Sequence, residues 1–195
     1  MADKIKIGVL ALQGDFKEHI EMLKKCNVDA TEVRLPEDLE DMGGLIIPGG
    51  ESTTMGSLML RHGLDRELIK KYKEGMAIYG TCAGAILLAK NIEDSNQPRL
   101  SLLDISIKRN DYGRQIDSFE SQLEIKKIGR FTGIFIRAPV IEKVNSGINV
   151  LSSFNKNPVL VQQGKILAST FHPELTNDRR VHEYFIGMVD RTKKY

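Results

Sequence analysis

Short apolar runs alternate with stretches of helical periodicity through the first half of the chain, and this alternation constrains the fold more than any other feature. "IKIGVLAL" (5–12), "ATEVRL" (30–35), "GLIIPGG" (44–50) and "MAIYG" (76–80) read as strands. Among them, "FKEHIEMLKKC" (16–26) reads as an amphipathic helix with Ile20, Met22 and Leu23 near one face, and "PEDLEDM" as a short helix started by Pro36. "STTMGSLMLRHG" and "LDRELIKKYKEG" give two helical pieces, each closed by a glycine, and "AGAILLAKNI" (83–92) gives another helix. Apolar strands alternating with helices predict parallel βαβ units, with the sheet covered on both faces.

The texture changes after residue 100. "LLDISIKRND", "SFESQLEIKKI", "FTGIFIRAPVI", "INVLSSF" and "NPVLVQQGKILASTFH" are strand-like runs with turn residues between them, expected as antiparallel additions to the sheet. A hairpin is predicted around Gln163-Gly164, and "NDRRVHEYFIGMVDRTKK" is a helix with Val181, Tyr184, Phe185 and Met188 as its apolar stripe. With 195 residues and no repeat or linker, one domain over 1–195 is expected.

The 28 basic and 26 acidic residues leave a formal charge of +2, which gives no reason to expect nucleic acid or an anionic membrane as partner. No apolar run approaches the roughly 18 residues needed to span a bilayer, and "MADKIKIGVLAL" lacks a signal peptide's h-region and cleavage site. Two cysteines without a CxxC and four histidines without zinc-ligand spacing point to a cytoplasmic protein with reduced thiols and no metal site.

One of those cysteines has an unusual setting. "GTCAG" (80–84) follows an apolar strand and opens a helix, the form of a nucleophile elbow with Cys82 at its apex. Gly80 and Gly84 leave room for a sharp turn, and the helix directs free N–H groups at the sulfur, favouring the thiolate. The N–H of Ala83 is placed to donate to an oxyanion. A small buried cysteine at an ordinary turn is the competing reading, and packing is the better one for Cys26.

A nucleophilic cysteine needs a base. His19 and His182 sit within helical patterns and His62 before a helix-ending glycine, so a structural role is expected for each. His172 ends a strand in "FHPE", and Pro173 biases it towards an extended conformation. Extended residues i and i+2 share a side, so Glu174 is expected beside the imidazole, fixing its tautomer. "IIPGGEST" (46–53) is a third element, a glycine turn suited to presenting N–H groups to developing negative charge.

The order "PGGES", "GTCAG", "FHPEL" resembles the class I (triad) glutamine amidotransferases. "VLALQG", "PGGESTTM", "RNDYGRQIDSFE" (109–120), "FTGIFIRAP" and "FHPELT" narrow the resemblance to the glutaminase-subunit family of the two-protein pyridoxal 5′-phosphate synthases, from one end of the chain to the other. It implies a three-layer, flavodoxin-like α/β fold with a mixed, mostly parallel sheet, helices on both faces and antiparallel additions. It further implies hydrolysis of L-glutamine to glutamate and ammonia, and transfer of the ammonia to a (β/α)8-barrel synthase subunit. No cofactor is implied.

Carried onto this sequence, the resemblance makes Cys82 the nucleophile, His172 the acid/base and Glu174 its orienting partner. Gly50, Glu51 and Ser52 would contact glutamine, Gly50 and Ala83 would supply oxyanion donors, and Arg109 with Ile136 and Arg137 would complete the pocket. A guanidinium suits the task because it binds an α-carboxylate through two parallel hydrogen bonds. Gln13 is the expected coupling residue to the synthase subunit. Other readings remain: a glutaminase serving a different partner, a non-catalytic binding protein of the same fold, and an elbow-bearing cysteine hydrolase indifferent to glutamine.

Overall fold

Leu45, Ile46 and Ile47 are all fully buried, yet they point into two different cores. They belong to the central sheet of the computed structural model, which describes residues 4–109 and 118–190. The chain begins β1 (Lys6–Leu10), α1 (Phe16–Lys25), β2 (Asp29–Val33), a 3₁₀ turn (Pro36–Leu39) and β3 (Gly44–Ile47). It continues with α2 (Ser52–His62), α3 (Leu64–Lys73), β4 (Ala77–Thr81) and α4 (Ala83–Leu88). Eight strands follow: β5 (Ala89–Ile92), β6 (Leu103–Lys108), β7 (Ser118–Ile125), β8 (Gly129–Ile136), β9 (Val140–Val144), β10 (Asn149–Phe154), β11 (Asn157–Gln163) and β12 (Ile166–Ser169). A second 3₁₀ turn (Pro173–Leu175) and α5 (Arg180–Asp190) close the described part.

The seven-stranded sheet runs β10-β11-β12-β4-β3-β1-β2. Within it β2, β1, β3, β4 and β12 pair in parallel, which is the 2-1-3-4-5 order of flavodoxin-like folds. β10 and β11 add antiparallel at one edge, and β11 turns back into β12 with Gln163 opposite Ile166, the predicted hairpin. Strand residues alternate between faces. Leu45, Ile47 and Ile78 meet Met55, Met59, Leu68 and Leu87 of α2–α4. Ile46 and Tyr79 meet Leu23 of α1 and Val181, Phe185 and Met188 of α5. Burial on both sides is why these strands read as continuous apolar runs rather than alternating ones.

Two expectations fail. The late strands do not all join the central sheet: β5-β6-β9 form a separate three-stranded sheet and β7-β8 a separate pair. Each covers a core instead of extending an edge, Ile105, Ile107 and Ile141 on the α2–α4 side, Leu123, Phe131 and Phe135 on the α1/α5 side. The expected helix over 83–92 also stops at Leu88, because Ala89–Ile92 pairs in parallel with β6. Long-range pairing overrides the local helical preference. Of the "RNDYGRQIDSFE" segment, 110–117 lie outside the described residues. No helix among the described residues is long and apolar enough to cross a membrane.

Candidate active site

The carboxyl ends of β1, β3, β4 and β12 meet at one edge of the sheet, where ligands of open α/β folds gather. Cys82 follows β4 with φ 48° and ψ −103°, a positive φ that side-chain-bearing residues rarely adopt. Its N–H donates to the Ser169 carbonyl of the neighbouring β12 at 2.8 Å. The turn requires glycine at 84, since a methyl group there would overlap the Ile47 carbonyl of β3. Ala83 opens α4, so its N–H has no carbonyl within the helix to bind. This is the elbow expected from the sequence.

His172 is 3% exposed and Glu174 5%, and His172 Nδ1 lies 2.7 Å from Glu174 Oε1. The partnership is the one expected, but its geometry is not. Pro173–Leu175 form a 3₁₀ turn, so the turn, not an extended strand, folds the carboxylate back beneath the ring. With Nδ1 bound to Glu174, Nε2 is left for Cys82. Burial acts most strongly on His172 and disfavours its charge, but hydrogen bonds to Cys82 and Glu174 and the charges of both outweigh it, lifting its pKa to about 10. Burial in turn raises Glu174, opposed by its hydrogen bond and attraction to His172. Glu174 at one nitrogen and Cys82 at the other hold the proton on the imidazole.

The glycine turn serves an additional purpose. A methyl at Gly49 would overlap Cε1 of the His172 ring, so the Pro-Gly-Gly sequence lets backbone approach the imidazole closely. Beyond it, Glu51 caps α2, its Oε2 accepting from Thr54 N–H at 2.7 Å and its Oε1 from Thr53 N–H at 3.3 Å. These bonds, Thr54 foremost, pull the Glu51 carboxyl below its ordinary range. The Glu51 N–H donates to Gln13 Oε1 at 2.7 Å, tying the turn to the loop after β1.

Arg109 donates to Gln97 Oε1 at 3.0 Å and Thr53 Oγ1 at 3.3 Å, and lies 3.6 Å from Glu51 Oε1. Gln97 also accepts from Ser52 Oγ at 3.3 Å and is 8% exposed. Ile136 offers its carbonyl to Cys82 Sγ at 3.9 Å, and Arg137 stands exposed at φ 41°. A cleft of about 470 Å³ unites Gly50, Glu51, Ser52, Cys82, Ala83, Arg109, Ile136, Arg137 and His172, with Gln13 at its wall and Glu174 behind His172. That volume lies within the range of roughly 300–1,000 Å³ for small-molecule sites.

Sequence reasoning missed three neighbours. Asp15 Oδ2 lies 3.6 Å from His172 Nδ1, with its carboxyl raised by burial against the pull of His172. It follows β1 at the same sheet edge, so the parallel topology would have flagged it. Gln97 sits in an irregular segment with no periodic signal. His19, expected to be structural only, has Nε2 3.5 Å from Glu174 Oε2.

Chemically, a cysteine beside an imidazole that a buried carboxylate holds, at the start of a helix, is an arrangement suited to acyl transfer. A pyridoxal 5′-phosphate synthase subunit PdxT of Thermus thermophilus is 53% identical over 185 residues, 94% of this chain and 97% of the relative. A protein of the same name from Thermotoga petrophila is 50% identical over 187 residues, 95% and 100% of the two chains. A crystal structure of a glutamine amidotransferase superposes with a TM-score of 0.92 at 52% identity, covering 94% of this chain and 98% of that one. Residues 9–191 match the family directly, and the chain belongs to the SNO glutamine amidotransferase family.

Proposed function

We propose that this chain is the glutaminase subunit of a pyridoxal 5′-phosphate synthase: it releases ammonia from L-glutamine through a thioester on Cys82 and passes it to the barrel-shaped synthase subunit. The observation that carries the reading is the His172–Glu174 contact of 2.7 Å, in a cleft where Cys82 is near enough to the same imidazole to raise its pKa.

The Cys82 thiolate attacks the side-chain carboxamide carbon of glutamine. Charge moves to the amide oxygen, which the N–H groups of Gly50 and Ala83 receive; one such donor is worth on the order of 100- to 1,000-fold in rate. His172 gives its proton to the departing nitrogen, ammonia leaves, and a γ-glutamyl thioester remains. Water, deprotonated by His172, attacks the thioester carbonyl and releases glutamate and the thiolate. Arg109 receives the α-carboxylate of glutamine, and Glu51, Ser52, Ile136 and Arg137 complete its pocket. No step calls for a metal or an organic cofactor.

Ammonia released to bulk water becomes ammonium, which is no nucleophile, so the reaction is useful only when the chain is docked on the subunit that consumes the product. Gln13 is suited to couple docking to chemistry, because it holds the Glu51 N–H beside the Gly50 donor. The setting is cytoplasmic.

Glutamate release from L-glutamine, measured with and without the synthase subunit and with Cys82→Ala as control, tests the reading. Release that rises with the synthase and vanishes in the variant is expected. Release indifferent to the synthase would reassign the partner, and none from a formed complex would overturn the enzymatic reading.

A further inference from the structure

Behind Glu174, on the side away from the cleft, two histidines that this mechanism does not use are sealed in the core. His19 of α1 and His182 of α5 are both fully buried. His19 Nδ1 lies 2.9 Å from His182 Nε2, and His19 Nε2 lies 3.1 Å from Thr81 Oγ1 and 3.5 Å from Glu174 Oε2. Among the described residues, neither Glu174 Oε2 nor His182 Nδ1 has a hydrogen-bond partner, though both are buried. Tyr79 of β4 stands edge-on to both rings, and its hydroxyl bonds to Ser169.

Burial keeps both rings neutral, holding His182 down to about 3 and His19 well below the ordinary range, where His182 and His172 depress it further. A neutral imidazole has one N–H and one lone pair, so the three aligned groups admit two arrangements. With the His19 proton on Nδ1, the Nε2 lone pair faces a carboxylate oxygen, and His182 keeps a buried N–H at Nδ1 that nothing accepts. With the proton on Nε2, His19 donates towards Glu174 Oε2 and Thr81 Oγ1 while its Nδ1 accepts from His182 Nε2–H. The one unmatched atom is then a ring acceptor. Orphaned buried donors are the rarer defect, and the second arrangement also removes the clash of lone pairs.

We propose that His19 is a positioning residue for Glu174, donating through Nε2–H to the carboxylate oxygen that His172 does not use, and that His182 fixes the tautomer that makes this possible. The inference rests on the reading of Cys82, His172 and Glu174 as the catalytic line. It supplies what that line lacks, a donor for the unpartnered oxygen of a buried carboxylate that must stay ionised opposite His172. Thr81 precedes the nucleophile, so the same ring links the strand that carries Cys82 to the carboxylate that orients the base. The ionisable groups facing His19 are Glu174 with His172 beyond it, His182 from α5 and Tyr79 from β4; Asp15, in the loop after β1, faces His172.

The test has one arm on the unaltered chain and one on variants in the complex with the synthase subunit. Long-range ¹⁵N–¹H correlation spectra of the histidine-labelled chain report tautomers directly. Nε2–H on both His19 and His182 is expected, and Nδ1–H on His19 would overturn the proposal whether or not any variant folds. In the complex, His19→Asn retains an acceptor near Nδ1 but has no atom at the Nε2 position, whereas the His19→Gln amide reaches it. The Asn variant is expected to lower kcat about 10- to 100-fold, as loss of an orienting partner does, with KM for glutamine unchanged. Its alkaline limb of kcat should move to lower pH, because His172 loses part of the charge that raises it. His19→Gln should recover most of both effects. Equal losses in the two variants, or an unmoved limb, would reduce His19 to a packing role. Cys82→Ala run alongside separates this failure from failure of the catalytic reading itself, which would show as activity surviving without the thiol.

Discussion

Thr81 and Ser169 lie opposite each other in the parallel register of β4 and β12, and that single pairing brings Cys82 and His172 together. Cys82 is the next residue after one, and His172 the third after the other. A one-residue slip would turn every side chain of the strand to the other face. Ser169 secures the register from within the core, its Oγ donating to the Phe171 carbonyl at 3.0 Å and bonding the Tyr79 hydroxyl at 2.9 Å.

Ser169→Ala therefore leaves two buried polar groups without their partner. Each such orphan costs about 1–3 kcal/mol, so chemical denaturation should show the variant destabilised by at least that much. Glutaminase activity in the complex should fall as well, since the segment from 170 to 172 loses its tether. A variant as stable as the parent would show that the register is held by the backbone pairing alone.

The positive φ of Cys82 makes a stability prediction that runs against activity. Residues held in sparsely populated backbone regions cost roughly 1–3 kcal/mol, and glycine is exempt apart from its own entropic penalty of about 0.5–1 kcal/mol. Cys82→Gly should then be more stable than Cys82→Ala by about 0.5–2 kcal/mol, although both are inactive. Equal denaturation midpoints would mean that the elbow is unstrained.

His172 sets a pH dependence of stability. Its pKa is raised from 6.5 to about 10 in the folded chain, so protonation is tighter folded than unfolded. The stabilising contribution is complete below about 6.5 and is lost as pH rises towards 10. Denaturation midpoints of the parent and His172→Asn, compared across pH 6 to 10 by difference, cancel the groups common to both. The gap should narrow with rising pH, and a constant gap would contradict the assignment.

Much of this site was legible in the chain because the constraints on it are local. A glycine two residues after Cys82, a proline after His172 and paired glycines after β3 each answer to a steric demand that the sequence displays. The parallel sheet covered on both faces followed from continuous apolar runs, which only a strand buried on both faces needs. What stayed hidden depended on contacts distant in the chain. His19 and His182 are separated by 163 positions, and each looks like one polar residue within an amphipathic helix until α1 and α5 pack on the same face. The split of 83–92 and the separate β5-β6-β9 sheet arise from pairing with strands far downstream, for which local periodicity carries no sign.

Gln97 connects the proposed glutamine pocket to such a distant contact. Its Oε1 accepts from Arg109 at 3.0 Å and from Ser52 and Thr53 hydroxyls at 3.3 Å each. A single amide oxygen thus aims the guanidinium and braces the first turn of α2. Gln97→Met keeps the length of the side chain and removes the acceptor, so Arg109 loses its shortest hydrogen bond and, among the described residues, is held only by Thr53 Oγ1 and Glu51, while the surroundings of Cys82 stay intact. The expected result is a rise in KM for glutamine of about 10- to 100-fold, the worth of one hydrogen bond to a charged group at roughly 1.5–3 kcal/mol, with kcat changed far less. Arg109→Lys should behave alike, because an ammonium lacks the planar fork that binds a carboxylate through two parallel bonds. Should kcat fall with KM constant in either variant, Arg109 would act on the transition state, and its place would be beside the scissile amide and not at the α-carboxylate.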